Sequence, residues 1–229
     1  MNWKMNKYRP LSFSLILIVA FVLSSCKDKT NEKESRVATL PFYAEANFTP
    51  HWLDETSDEA KTFHKIPAFS LFNQEGQTIT EDTFKDKIYV ADFFFTSCPG
   101  ICPKMTKNMA VIQDAFKDND DVLLLSHSVT PDKDSVSVLK HYAETKGVIS
   151  GKWHLVTGHR KDIYDLGRHA YFVEEDLGEV KTEDDFLHTE NFVLIDKNRH
   201  IRGIYNGLNT TAVQQLIADI KTLKQEPIN

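Results

Sequence analysis

The chain has 229 residues, with 27 Lys and Arg set against 33 Asp and Glu, a formal net charge of −6 and 41% hydrophobic residues. This acidic balance, without a basic cluster, an RNA-recognition motif or zinc-finger spacing, argues against a nucleic-acid partner, while the length is ample for one hydrophobic core. There are three cysteines, Cys26, Cys98 and Cys102, an odd number in which each has to be accounted for.

Lys4, Lys7 and Arg9 precede an apolar run from Leu11 to Leu23, and no acidic residue comes before Asp28. A charged start and a short apolar stretch are the marks of a secretory signal, too short for a comfortable membrane span. The run ends Leu23-Ser24-Ser25-Cys26, which resembles a bacterial lipoprotein signal; that resemblance implies cleavage after residue 25 and a lipid on the sulfur of Cys26. An uncleaved N-terminal anchor is the alternative. Either way the folded part is expected outside the cytoplasm, on a membrane surface, and loss of Lys4, Lys7 and Arg9 would take the net charge from −6 to −9.

Lys27 to Ser35 is a mixed-charge, apolar-poor tether. Leu40 to Leu53, carrying Pro41, Phe42, Tyr43, Phe48, Pro50 and Trp52, has the composition of an extended arm that docks along the domain. Three regions are therefore expected: a signal over 1–25, a lipidated cysteine with tether and arm over 26–62, and a globular domain over 63–225. Pro67 to Ile79 alternates weakly around Asn73 to Gly76 and predicts a β-hairpin. Ile88 to Phe95 is almost unbrokenly apolar, as in a strand buried on both faces. Thr96 and Ser97 end it, Cys98 and Cys102 follow, and Pro103 suits the first turn of a helix, whose inner face is Met105, Met109, Ile112 and Phe116.

Val122 to Val129 predicts a second central strand. Thr130-Pro131 is expected to begin a helix with Val136, Leu139 and Ala143 on one face, ending at Gly147. A short strand at Trp153 to Val156 and a helix near Lys161 to Ala170 come next. Glu174 to Asp185 reads as an acidic loop or exposed hairpin. Asn191 to Asp196 and Ile201 to Tyr205 flank Lys197-Asn198 as a hairpin, and Thr211 to Leu223 closes the chain as an amphipathic helix. This order is that of an α/β, thioredoxin-like fold with an N-terminal β-hairpin addition.

Two thiols where a central strand hands over to a helix form the candidate site. Unpaired N–H groups and the helix dipole stabilise a thiolate, and a thiolate is a nucleophile or a soft-metal ligand. The spacing lets Cys98 and Cys102 either close a disulfide or share one ion. A purely structural disulfide across so short a loop would stabilise little. Among the nine histidines, His51, His64, His141, His154, His159, His169 and His200 read as solvated or core residues. His127 lies near the carboxyl end of a central strand, where α/β folds place their sites, but its neighbours suit a core histidine. His188 precedes the strand at Asn191, in the loop that faces the cysteine turn in a thioredoxin-like fold, and is the second candidate. Met105 and Met109 are soft sulfurs near the cysteines, with the spacing of packing residues.

The segments ADFFFTSCPGICPKMTKNM, SVTPDKDSVSVLKHYA, WHLVTG and LHTENFVLIDKNRHIRGIYNG together resemble the Sco (SenC) family of copper-binding proteins over about Pro67 to Leu223. The resemblance implies a thioredoxin-like domain that holds copper, as Cu(I) or Cu(II), on Cys98, Cys102 and His188. It also implies a metallochaperone for the dinuclear copper centre of cytochrome c oxidase, or a reductant of that centre's cysteines. The expected partners are oxidase subunit II or a similar copper acceptor and an envelope thiol reductant, with Cys98 and Cys102 able to form a redox-active disulfide. In two places the chain departs from the family pattern: Leu187 stands where many members have Asp before the ligand histidine, and Thr130 where many have Asp before proline. Independently, two thiolates and an imidazole favour copper, whereas structural zinc would want a fourth protein ligand. The alternatives are a thiol–disulfide oxidoreductase with Cys98 attacking and Cys102 resolving, and a thiol peroxidase built on Thr96 and Cys98, for which no partner arginine is identifiable.

Overall fold

The computed structural model describes residue 1, residues 33–174 and residues 185–226. All but residue 1 of the signal over 1–25, Cys26 and the acidic segment between Glu174 and Asp185 lie outside them. A seven-stranded mixed sheet has the order β2-β1-β5-β4-β3-β6-β7. Its strands are β1 (Ser70–Asn73), β2 (Thr78–Thr80), β3 (Ile88–Phe94), β4 (Val122–Ser128), β5 (Trp153–Thr157), β6 (Asn191–Ile195) and β7 (Ile201–Asn206). The central three run parallel. The predicted hairpin β1–β2 joins β5 antiparallel on one side, and β6–β7 joins β3 antiparallel on the other.

A short helix, α1 (Asp58–Thr62), precedes the sheet; α2 (Cys102–Phe116) follows β3, α3 (Val136–Lys146) follows β4, α4 (Arg160–Asp165) follows β5, and α5 (Thr210–Leu223) ends the domain. Alternation along the strands divides the core in two. Val90, Phe94, Leu124, Leu155 and Leu194 meet Cys102, Met105 and Met109 of α2, with α3 and α5 beside them. Tyr89, Ala91, Phe93, Leu125 and Val193 meet α4 and Leu187 on the opposite face. All seven residues of β3 are buried, as a strand covered on both sides must be. Met105 and Met109 are fully buried packing residues.

The helix after β4 starts later than the sequence suggests. Ser135 caps it by accepting the N–H of Val138, and residues 130–134 form a turn instead. The reason is Asp134, whose carboxylate is bonded back to the ends of β3 and β4. Gly147, at φ 70°, ends α3 as expected. The helix at Arg160 continues after Asp165 as a π-helical turn, Leu166–Ala170. Gly167 in that turn allows a close approach, since a Cβ there would lie 2.6 Å from Cδ1 of Leu187 and 3.1 Å from Cε1 of Phe93.

The aromatic arm docks. Leu40 and Phe42 are buried, Phe42 pairs with His51, and the Tyr43 N–H donates to the Ile201 carbonyl at 3.0 Å. Arg202 on β7 fastens it: the guanidinium donates to the carbonyls of Leu40 and Pro41 and to the carboxylates of Glu55, Asp196 and Glu226. It also lies 4.1 Å from the ring centre of Phe42.

Candidate functional site

β3 ends at Phe94, and the chain turns through Cys98 into α2, whose first residue is Cys102. Both thiols are free; Cys98 is partly exposed and Cys102 is buried. Burial alone would raise the pKa of Cys98, but the thiol of Cys102 and the backbone N–H groups of Cys102, Gly100 and Ile101 outweigh it, and the net shift is downward. The amides of Ile101 and Cys102 belong to the helix start and that of Gly100 to the turn before it, so the sequence expectation of a stabilised thiolate agrees with the direction of the Cys98 shift. Cys102 goes the other way. Burial, the hydrogen bond with Cys98 and the nearby charge of Asp92 push its thiol up to about 12, opposed by the N–H of Phe95. The pair is therefore asymmetric: the outer thiol is shifted down and the inner one up.

Asp92 lies beneath the turn in the middle of β3, on the α2 side of the sheet and 1% exposed. Burial raises its carboxyl to about 7, opposed by a hydrogen bond from the Ser126 hydroxyl. Ser126 in turn accepts the Trp153 Nε1–H at 2.8 Å. On the outer edge Thr96 donates twice to Asp134, from its N–H at 3.2 Å and from its hydroxyl at 2.5 Å. Ser128 and Thr130 donate to the same carboxylate. Thr130, one of the two departures from the family pattern, thus serves as a donor to a buried acidic side chain.

His188 lies in an extended segment of alternating burial, with Phe186 and His188 exposed and Leu187 and Thr189 buried. Residues two apart share a face of such a segment, and the Phe186 ring packs edge-on against Phe95 with centroids 5.4 Å apart. That contact seats the His188 segment beside the end of β3, three residues before Cys98. The His188 N–H donates to Glu174 at 3.1 Å, and Glu174 also accepts from Arg168 at 2.9 Å. Leu187, the second departure, points into the core instead of toward the thiols. Among the described residues no three His, Cys, Asp or Glu side chains stand close enough to hold a metal ion. The structure thus brings Cys98 and Cys102 together and sets the His188 segment near them, without gathering all three.

His127 is fully buried, stacked on Phe93 at 4.5 Å and 10°, and burial lowers its pKa to about 4. It belongs with Phe93, on the face of the sheet away from Cys102, and is a core histidine. Sequence reasoning passed over Asp92, Asp134 and Glu174. Asp92 did leave a signal, since a carboxylate inside an otherwise apolar, doubly buried strand needs a reason.

The crystal structure of a SCO1/SenC family lipoprotein from Bacillus anthracis str. Ames is similar, with 32% identity and a TM-score of 0.62, covering 70% of this chain and 95% of that one. BsSco, a member of the Sco family of cytochrome c oxidase assembly proteins in which a disulfide switch was identified, matches with 28% identity and a TM-score of 0.61, covering 71% and 94%. Arabidopsis thaliana ScoI with copper bound matches with 27% identity and a TM-score of 0.54, covering 70% and 98%. The SCO1/SenC family profile matches residues 57–225, from the N-cap of α1 to just beyond α5. With a thioredoxin-like sheet, a paired thiol at the start of α2 and a family match over most of its length, the chain belongs to the SCO1/SenC family.

Proposed function

We propose that this chain is a membrane-anchored copper chaperone of the bacterial cell envelope. Copper is held by Cys98, Cys102 and His188 and passed to the dinuclear centre of cytochrome c oxidase, on subunit II or a similar acceptor. Residues 1–25 act as a lipoprotein signal, Cys26 carries the lipid, 26–62 form the tether and arm, and 63–225 the copper-binding domain. The observation that carries this reading is the reduced, asymmetric thiol pair at the start of α2, in a family that includes a copper-bound structure. Soft thiolates favour Cu(I). Each thiol releases a proton as its sulfur binds metal. Cys98 does so first, and Cys102, held protonated by burial, follows as its sulfur joins the metal. The segment carrying His188, seated on Phe95 through Phe186, supplies the imidazole. Three ligands on a turn open at Cys98 leave room for an incoming acceptor thiolate. Because the disulfide cannot bind in this way, an envelope reductant must keep the pair reduced.

Anaerobic copper titration of the reduced chain tests the reading. One copper per chain is expected, with a sulfur-to-copper charge-transfer band in the oxidised complex, loss of binding in Cys98→Ser and weakened binding in His188→Ala. Unchanged stoichiometric binding in His188→Ala would remove the imidazole from the site. The same thiol asymmetry supports a second reading, a thiol–disulfide oxidoreductase acting on the cysteines of that centre or of other envelope proteins. In it the Cys98 thiolate attacks a partner disulfide, releasing one partner thiol, and Cys102 then displaces the second from the mixed disulfide. Absence of copper binding together with catalytic disulfide turnover would put that reading first.

A further inference from the structure

Asp134 is 0% exposed, and among the described residues its carboxylate accepts four hydrogen bonds, all from uncharged donors. They reach it from three places: Thr96 just past β3, Ser128 at the end of β4, and Thr130 in the turn after it. A buried carboxylate satisfied only by neutral groups is costly to desolvate, and its position here ties the exits of two neighbouring parallel strands together. The Thr96 amide donates to Asp134, and the carbonyl of the same peptide unit, that of Phe95, accepts the N–H of Cys98 at 3.4 Å. One peptide unit thus bonds both to the clasp and to the backbone of Cys98, two residues further on. A shift of the Thr96 peptide therefore reaches Cys98 through that bond and a short stretch of backbone.

We propose that Asp134 is a positioning residue for the cysteine pair: held by Thr96, Ser128 and Thr130, it fixes the exit of β3 and so sets the ease with which Cys98 and Cys102 interconvert between dithiol and disulfide. It rests on the reading of these two cysteines as the working pair, and its test needs no copper. The chain is equilibrated with glutathione buffers, in which the two thiols lose two electrons and two protons as glutathione disulfide becomes two glutathione thiols. Melting temperature is followed in parallel. Thr96→Val keeps the shape and removes the hydroxyl, Thr96→Ser restores it, and Asp134→Asn removes the charge. Ile163→Ala, in α4 on the far face of the sheet, supplies a comparable loss of stability at a distance.

Thr96→Val and Asp134→Asn are expected to shift the dithiol–disulfide equilibrium constant by at least about threefold, with Thr96→Ser and Ile163→Ala staying below that. A smaller shift in Thr96→Val overturns the proposal, as does an equal shift in Ile163→Ala, which would assign the effect to general loss of stability. Should Asp134→Asn fail to fold, Thr96→Val decides alone. A chain that binds no copper but shows these shifts refutes the chaperone and keeps the clasp; one that binds copper and shows none does the reverse.

Discussion

Replacing Asp92 by Asn should change how the stability of this protein depends on pH. In the fold its carboxyl is lifted from the ordinary 3.8 to about 7, chiefly by burial. A raised folded-state pKa means that the native protein binds this proton more tightly than the unfolded chain does. The resulting stabilisation is complete below about pH 4 and is lost as pH rises toward about 7. A shift of about three units at about 1.4 kcal/mol each corresponds to about 4 kcal/mol. Asn has the same shape, still accepts the Ser126 hydroxyl and does not titrate. Wild type and Asp92→Asn should therefore be similar in stability at pH 4, and the variant should be more stable by up to about 4 kcal/mol at pH 8. With a urea slope of about 2 kcal/mol/M, that is a midpoint difference of about 2 M, measured under reducing conditions. Parallel stability curves, separated by the same amount at every pH, would refute the reasoning and show that Asp92 ionises normally in the fold.

Two other substitutions test the supports on either side of the site. Leu187→Ala removes a side chain that is 1% exposed and packed on the second core cluster; a loss of about 3 kcal/mol is expected. Amide exchange should quicken at residues 186–190, and a loss under about 1 kcal/mol would show that Leu187 does not anchor the His188 segment. Arg202→Met leaves Glu55, Asp196 and Glu226 facing one another without their cation, which should cost about 3–5 kcal/mol at neutral pH. The cost should shrink at pH 5, where the carboxylates can take up protons, as urea unfolding at the two values would show.

Much of this architecture could be read from the residue order because the signals were local. The apolar run at Ile88, the Asn73 to Gly76 turn and the 3.6-residue periodicity of α2 and α5 each identify an element without reference to the rest of the chain. The cysteine turn was legible for the same reason, since a strand, two thiols and Pro103 occur in one stretch. What escaped depended on contacts between distant segments. Asp134 acts across 38 residues on Thr96, and Arg202 reaches 162 residues back to Leu40. Nothing around either residue in the sequence reveals those partners. The late start of α3 has the same origin, for the turn after Pro131 carries the Asp134 carboxylate back to the strand ends and Ser135 opens the helix instead.

The docked arm has a consequence for the sheet itself. One border of the sheet, β2, is only three residues long and offers little backbone to a neighbour. The other, β7, has six residues, and it is the segment from Leu40 to Tyr43 that lies alongside it, secured to Ile201 and Arg202. An uncovered strand of that length is a template for pairing with another chain. A protein trimmed to begin at Ser57, where the family match starts, would free the Ile201 carbonyl on that border and strip Arg202 of two carbonyls and Glu55 together, which opens β7 further to self-association.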